Sequence, residues 1–493
     1  MRDVRFTAAL ACGIIFTVVA GTLPGSAQTT GAGTKIPITT SSGEARELYL
    51  KGRDLAEKLR GTDARQYYEQ AVAKDPTFAL GYVGLANTAG TNREFVDAVR
   101  RAVSLAGGVS EGERHMILAL DEGLKGNPQG VLKHYTALVE RFPDDERAHN
   151  LLGNAYFGRQ EYETAVKQYV RAITINPEYS QPYNQLGYAY RFLDKFGESE
   201  AAFKKYVQLI PNDPNPYDSY AELLMKMGRF DESIKAYEKA LSIDSRFVAS
   251  YVGIGNNHLA AGRADEARTA FARIDTVART TGERRLARFW TAAAWVHEGA
   301  TDKAIAELKA GYVLAEAEGD GGNMSGDLVL IGDVLREAGR LDQAAAKYAE
   351  SVVAIEKASV PEEVKQAARR NLVFEEGRLA AERKDLAGAK AKAAEYGRLI
   401  AARQAPFEIR QRHELEGLIA LAERRPADAA REFERANQQD PRILYLSAIA
   451  WREAGDATKA ATFAAKAAKF NGLAFNYAYV RSKAGKVSAT STY

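Results

Sequence analysis

Six histidines, His115, His134, His149, His258, His297 and His413, are the side chains of this 493-residue chain best suited to metal binding or proton transfer near neutral pH. They stand singly: no H-x-x-x-H spacing and no His/Asp pair puts two ligands on one helix face, so a metal centre would need convergence from distant segments. Packing between helices is the plainer role for them. Cys12 is the only cysteine, which leaves no zinc–thiolate set or disulfide to consider. Paired carboxylates such as Asp144-Asp145 and Glu375-Glu376 suit helix starts and solvated helix faces, where acids stabilise the N-terminal dipole. Gly319 to Gly322 has neither the Lys-Ser/Thr of a phosphate loop nor a strand before it, and G-x-S-x-G is absent. No catalytic residue, metal or cofactor is therefore expected, and the chain reads as non-enzymatic. The alternative is an enzyme whose site is assembled from scattered residues.

The elements that would position any such residue are short and repeated. Glu146 to Tyr179 is a 34-residue unit with His149, Leu152, Gly153, Tyr156, Ala165, Tyr169, Ala172 and Pro177 at positions 4, 7, 8, 11, 20, 24, 27 and 32. Large residues flank a small one on a first helix, a small residue faces it from a second, and proline ends that second helix because it lacks the needed donor. Position 8 recurs as Gly52, Ala86, Ala119, Gly153, Gly187, Ala221, Gly255, Ala292, Gly332, Gly377, Gly417 and Ala448. Twelve residues after each lies position 20: Ala64, Ala98, Val131, Ala165, Ser199, Ser233, Ala267, Ala304, Ala344, Ala389, Ala429 and Ala460. Aromatic residues return at position 24, as Tyr68, Tyr135, Tyr169, Phe203, Tyr237, Phe271, Tyr348 and Phe433, and proline at position 32, as Pro76, Pro143, Pro177, Pro211 and Pro441. This code resembles the tetratricopeptide repeat (TPR), over nearly the whole chain beyond its first residues. The resemblance implies an all-α fold, a right-handed superhelix (α-solenoid) of about twelve helix–turn–helix repeats.

Spacing divides the array. Markers about 34 residues apart define a regular stretch, 45–281, of about seven repeats; intervals of about 31 to 45 define an irregular one, 282–474, of about five. The extra length is expected in a Gly-rich loop, Glu318 to Asn323, and in a helix and turn over Ile355 to Lys365, with a change of superhelical pitch near Thr280 to Arg285. Residues 475–485, with Phe475, Tyr477, Tyr479 and Val480, are expected to cap the apolar edge of the last repeat, before a disordered tail, 486–493. A terminal helix that binds a partner is the alternative.

At the other end, Arg2 and Arg5 precede an apolar run from Phe6 to Leu23, and Gly25-Ser26-Ala27 supplies small residues for cleavage. Residues 1–27 are read as an export signal of bacterial type, with the periplasm or cell surface as destination. An uncleaved membrane anchor and a lipoprotein modified at Cys12 are the alternatives. Residues 28–44, rich in Thr, Gly and Ser, read as a flexible linker.

Recognition is the remaining chemistry. In the resemblance, the first helix of each unit lines a concave face with positions 2, 5, 9, 12 and 13, which leaves Arg147, Asn150, Asn154, Gln181, Asn184, Tyr188, Arg191, Asn215, Asp218, Glu222 and Asn256 facing a ligand. An amide offers both donor and acceptor, so asparagines along a groove can hold a peptide backbone without demanding a sequence. Relatives that clamp a C-terminal carboxylate use Lys, Asn, Asn, Lys and Arg. Here only Asn154 matches; Asn150, Gln185, Asn215 and Ser219 replace the rest, so that ligand is not expected. The 67 basic and 64 acidic residues nearly balance, which gives no case for nucleic acid. Basic residues thicken between Lys365 and Arg425, at Arg369-Arg370, Arg383-Lys384, Arg410, Arg412 and Arg424-Arg425. They are either paired with interleaved acids or a patch for an anionic partner. The expected function is a scaffold that binds a protein or extended peptide. The alternative is an accessory subunit of envelope assembly or polysaccharide secretion.

Overall fold

The computed structural model describes residues 35–358, 360–403 and 405–489. The expected export signal, 1–27, the linker residues 28–34 and the tail residues 490–493 lie outside the described residues. Twenty-five α-helices and one 3-10 turn, Ala106–Gly108, follow one another, with no strand among the described residues. Five pairs come first: α1 (Gly43–Glu57) with α2 (Gly61–Lys74), α3 (Ala79–Asn87) with α4 (Asn92–Leu105), α5 (Glu111–Leu124) with α6 (Pro128–Arg141), α7 (Glu146–Gly158) with α8 (Tyr162–Ile175), and α9 (Ser180–Phe192) with α10 (Phe196–Leu209). Next are α11 (Pro214–Lys226) with α12 (Phe230–Ile243), α13 (Val248–Ala260) with α14 (Ala264–Val277), α15 (Thr281–His297) with α16 (Thr301–Ala317), and α17 (Gly321–Glu337) with α18 (Leu341–Lys357). The last pairs are α19 (Glu362–Glu382) with α20 (Leu386–Ile400), α21 (Pro406–Ala422) with α22 (Pro426–Arg435), and α23 (Pro441–Glu453) with α24 (Ala457–Ala468); α25 (Phe475–Ala489) stands alone. Twelve pairs make an all-α solenoid. Two compact units divide the described chain: 35–211 with 360–364, and 212–358 with 365–489.

Six pairs close on a contact between a position-8 glycine and the aromatic ring at position 24: Gly52 with Tyr68, Gly153 with Tyr169, Gly187 with Phe203, Gly255 with Phe271, Gly332 with Tyr348 and Gly417 with Phe433. All twelve position-8 residues are buried. A methyl built on Gly153 would lie 2.5 Å from the Tyr169 ring, on Gly187 2.5 Å from Phe203, and on Gly255 2.2 Å from Phe271. Glycine is therefore required wherever the facing ring is this close. At position 20 the hydroxyls of Ser199 and Ser233 donate to the carbonyls of Gly187 and Ala221, both 2.7 Å away, which fastens the second helix to the first at the same level. Ala98 and Val131 are only half-buried, and α3 has just nine residues, so the second and third pairs are the loosest copies of the code.

The turn inside each pair has its own register. Seven residues after the marker the backbone enters the left-handed region at Leu59, Gly126, Gln160, Asp194, Gly228, Gly262, Gly299, Gly339, Lys384, Arg424 and Gly455. There the next N–H reaches back to the last turn, as Arg340 N does to the Leu335 carbonyl at 2.9 Å. Six of these eleven positions are glycine, a period the marker residues alone do not reveal.

Three expectations change. The Gly-rich stretch is not a loop: after a turn at Gly319 (φ 64°), Asp320 caps α17 by accepting from Asn323 N, and Gly321 to Asn323 are helical. The extra length goes into helices, which run to 17 residues in α15 to α18 and 21 in α19 against 13 or 14 in α5 to α14. The linker is not free throughout: residues 35–42 run extended against the repeats, as described below. Finally, α25 continues through 486–489, where a tail was expected. No helix among the described residues is long and apolar enough to cross a membrane.

Candidate functional site

In the unit 35–211, the residues expected to face a ligand lie on α7 and α9, and most are already engaged. Arg147 makes a forked contact with Glu57, at 2.8 and 3.1 Å, and its guanidinium lies 4.9 Å from the Tyr179 ring centroid. Burial works against its charge, and the Glu57 carboxylate outweighs it, so the guanidinium titrates above its ordinary range. Asn150, 3% exposed, donates to Gln181 Oε1 at 2.8 Å, which also accepts from the Tyr179 hydroxyl. Asn184 is 1% exposed. Arg191 is buried, with its guanidinium 4.8 Å from the Tyr188 ring centroid. Position 5 thus packs inside the stack, and the Asn150 amide joins a neighbouring element instead of awaiting a ligand. Half-buried surface remains on Gln181, Asn154 and Tyr188. Asn154 uses its Oδ1 to accept from the Tyr169 hydroxyl at 2.9 Å, and its NH2 group stays available for a carbonyl.

In the unit 212–489, Asn215, Asp218 and Asn256 are all buried. Asp218 accepts from the Ser250 hydroxyl at 2.8 Å; burial, then the neighbouring Glu222, pushes its carboxyl up to about 7. Asn256 turns its NH2 onto the Val252 carbonyl of its own helix and lines a small cavity with Trp290, His297, Tyr477 and Arg481. What covers it is α25. The capping helix expected at the end of the array does pack on α23 and α24, but it also reaches back to α15. Arg481 donates to the Leu259 carbonyl at 3.0 Å and to that of Ala260, the last turn of α13, where a cation suits the helix dipole. Phe475 packs against Phe289 with the rings tilted at 56° and centroids 5.0 Å apart, and Lys226 donates to the Phe470 carbonyl at 2.8 Å. First helices of several pairs therefore surround one helical segment of the same chain.

Beside α25 lies a buried ionic cluster on inner positions of the irregular pairs. Arg378, 5% exposed, lies 2.9 Å from Glu375, 3.3 Å from Glu414 and 3.7 Å from Asp333. Arg336, 3% exposed, pairs with Glu382 and Glu337, and Arg442 meets Glu337 at 2.9 Å. Burial pushes Glu375 up to about 7 against the pull of Arg378. For Glu337 burial also acts upward, but Arg442, Arg336 and Lys483 prevail and hold it down at about 2. Glu375, expected at a helix start or on a solvated face, is instead buried here against Arg378, and the rest of the cluster was passed over because amides were sought in the regular units. Charged residues at inner positions of the later units were the available signal.

Four of the histidines make side-chain contacts within a helix pair. His115 with His134, His149 with Gln168 and His413 with Glu432 are each 19 residues apart, position 4 against position 23 of one pair, at 3.1, 2.8 and 2.7 Å. His413, Glu416 and Glu432 form the one group of three metal-capable side chains among the described residues, and it arises from this same pairing. Most basic residues of 365–425 are matched with acids: Arg369 with Glu356, Arg370 with Glu408, Arg383 with Asp342, Lys392 with Glu376, and Arg425 with Glu423 and Asp428.

A further element was missed in the sequence. Residues 35–42 lie along carboxylates of the first, third and fourth pairs in the unit 35–211. Ile36 N donates to Asp145 Oδ2 at 2.9 Å, Thr39 N to Glu113 Oε1 at 2.7 Å, and the Thr40 hydroxyl to Asp75 Oδ2. Exposure alternates strictly, with Ile36, Ile38, Thr40 and Ser42 turned inward. That period of two was legible in Ile36-Pro37-Ile38.

Family models of the repeat match part of the chain. A family described as TPR repeat matches residues 153–191, and two described as tetratricopeptide repeat match 180–213 and 224–289. No curated protein sequence matches the chain. Among solved structures, a tetratricopeptide repeat protein from Parabacteroides merdae is 18% identical, covering 55% of this chain and 94% of its own, with a TM-score of 0.35. A thermophilic TPR protein from Thermus thermophilus is 22% identical, covering 44% of this chain and 99% of its own, with a TM-score of 0.29. MamA from Desulfovibrio magneticus is 14% identical, covering 34% of this chain and 96% of its own, with a TM-score of 0.30.

Proposed function

As a tetratricopeptide-repeat protein, the chain builds its surfaces from stacked helix pairs, and we propose that it is a non-catalytic scaffold whose inner helices bind a polypeptide segment of a protein partner. The observation that carries this reading is α25. Inner helices α13 and α15 hold that segment through an arginine on helix-end carbonyls and through aromatic contacts. The same class of surface on α7 and α9 keeps Asn154, Gln181 and Tyr188 half-exposed. Their chemistry suits a peptide: an amide NH2 for a backbone carbonyl, and an aromatic face steadied by Arg191 and by edge contact with Phe203. The buried neighbours Asn150, bonded to Gln181, and Arg191, over the Tyr188 ring, position these groups.

The test is cross-linking in cells from a photo-reactive residue placed at Asn154, at Tyr188 or at Asn256. Specific protein adducts are expected from the first two. None from another protein is expected from Asn256, which lies under α25. Absence of any adduct from both Asn154 and Tyr188 overturns the proposal.

A further inference from the structure

The docked segment 35–42 occupies a built site. Three helix pairs each contribute one carboxylate, and each carboxylate does two things. Asp145 caps α7 with Oδ1, which accepts from Arg147 N and Ala148 N at 2.9 Å, and keeps Oδ2 for Ile36 N. Glu113, fully buried, closes a capping box with Ser110 at the start of α5 through Oε2, which also accepts from the Thr39 hydroxyl, and keeps Oε1 for Thr39 N. Asp75 holds Thr77 with Oδ1 and the Thr40 hydroxyl with Oδ2. Capping alone needs one oxygen, and a neutral amide or hydroxyl would serve. The second oxygen of each has one service in this fold, which is to hold an extended chain.

The spacing suits the same purpose. Ile36 and Thr39 are three residues apart, and three extended residues span roughly 10 Å, about the separation of neighbouring helices in a stack. Between these bonds Ile36 packs beside Phe142 and Leu138, and Ile38 against the cluster around Tyr49 and Phe78. Pro37 faces outward and keeps the strand extended, because it fixes its own φ and restricts Ile36.

We infer that this edge, built on Asp75, Glu113 and Asp145, is a second polypeptide-binding site, separate from the inner faces of α7 and α9. It is specific for an extended segment with β-branched apolar residues at alternate positions and a hydroxyl residue two further on, and residues 35–42 occupy it in cis. A partner segment of the same chemistry takes the site when the chain's own strand is released. The recognition is by backbone N–H donors onto carboxylates, with alternate side chains selected by the two apolar seams.

The test uses the full chain and a fluorescent peptide of residues 34–43. In the intact protein the tethered strand competes at an effective concentration of about 1 mM, so a peptide with a micromolar dissociation constant is weakened on the order of 100-fold or more. Ile36→Asp with Ile38→Asp releases the strand, as does Thr39→Pro, which removes both Thr39 donors and leaves the repeats untouched. Either released protein is expected to bind the peptide at least about tenfold more tightly than the intact protein does. Adding Asp145→Asn and Glu113→Gln, which keep one oxygen for the caps, should abolish that binding with the helical circular dichroism unchanged. A helical released protein that does not bind the peptide overturns the inference. So does equal binding by intact and released proteins, or binding that survives both amide substitutions. None of these outcomes depends on cross-linking at Asn154 or Tyr188.

Discussion

Gly326 and Gly332 lie in the same helix, α17, and the same substitution should act on them with opposite sign. Gly326 is exposed, with nothing within 4 Å of an added Cβ. Alanine there removes the excess backbone freedom of glycine in a helix interior, a gain of about 0.5–1 kcal/mol. At Gly332 the same methyl would sit 2.4, 2.7 and 3.0 Å from the Cε1, Cδ1 and Cζ atoms of Tyr348. Carbon atoms pack best at about 3.5–4.0 Å, so α17 and α18 would have to separate by roughly 1 Å or the ring would have to turn. The ring is 1% exposed, and its hydroxyl donates to Asp333 Oδ1 at 2.9 Å, which opposes turning. Overpacking of this kind costs about 1–3 kcal/mol. Because both variants share the gly-to-ala change in the unfolded chain, their difference isolates the steric contribution. Urea unfolding followed by circular dichroism should place Gly326→Ala above the parent and Gly332→Ala below it. Hydrogen exchange should be faster in α17 and α18 for Gly332→Ala alone, which localises the effect in a solenoid whose repeats need not unfold together. In a Tyr348→Ala background the methyl has room, and Gly332→Ala should become stabilising. Equal stability of the two single variants would refute the reasoning.

Two further outcomes follow from individual residues. Leu59 is 38% exposed and holds φ at 61°, so Leu59→Gly should relieve left-handed strain of about 1–2 kcal/mol; a lowered urea midpoint would contradict this. Asp218 has its folded carboxyl pushed up to about 7, above its unfolded value. A group raised in this way favours the folded state at low pH, and that advantage is lost as pH climbs from about 4 to about 7. Three units correspond at most to about 4 kcal/mol. Asp218→Asn should match the parent near pH 4 and exceed it at pH 8, as read from urea midpoints; a variant less stable at pH 8 would show that burial does not penalise the ionised carboxylate.

The pairing of helices is encoded locally. Position 8 and position 24 are sixteen residues apart, and a glycine such as Gly153 beside a ring such as Tyr169 admits one close approach within a single pair. The sequence by itself therefore determined that the chain is an all-α array of about twelve pairs, and where each pair begins. It also carried a turn signal, the left-handed residue seven after eleven of the twelve markers, half concealed because Leu59, Gln160, Asp194, Lys384 and Arg424 occupy that site in place of glycine.

What only the tertiary structure decided are the contacts between pairs that are distant in sequence. Arg147 meets Glu57 across 90 residues, Arg481 meets Leu259 across 222, and Lys35 and Ile36 meet Glu146 and Asp145 across 111 and 109. No repeat code specifies these, because they depend on how small rotations between successive pairs accumulate and bring separate surfaces within hydrogen-bond reach. For the same reason the inner amides looked free when read pair by pair. Stacking buries Asn150 against Gln181, and α25 closes over Asn256, so exposure on this fold belongs to the stack and not to the single repeat.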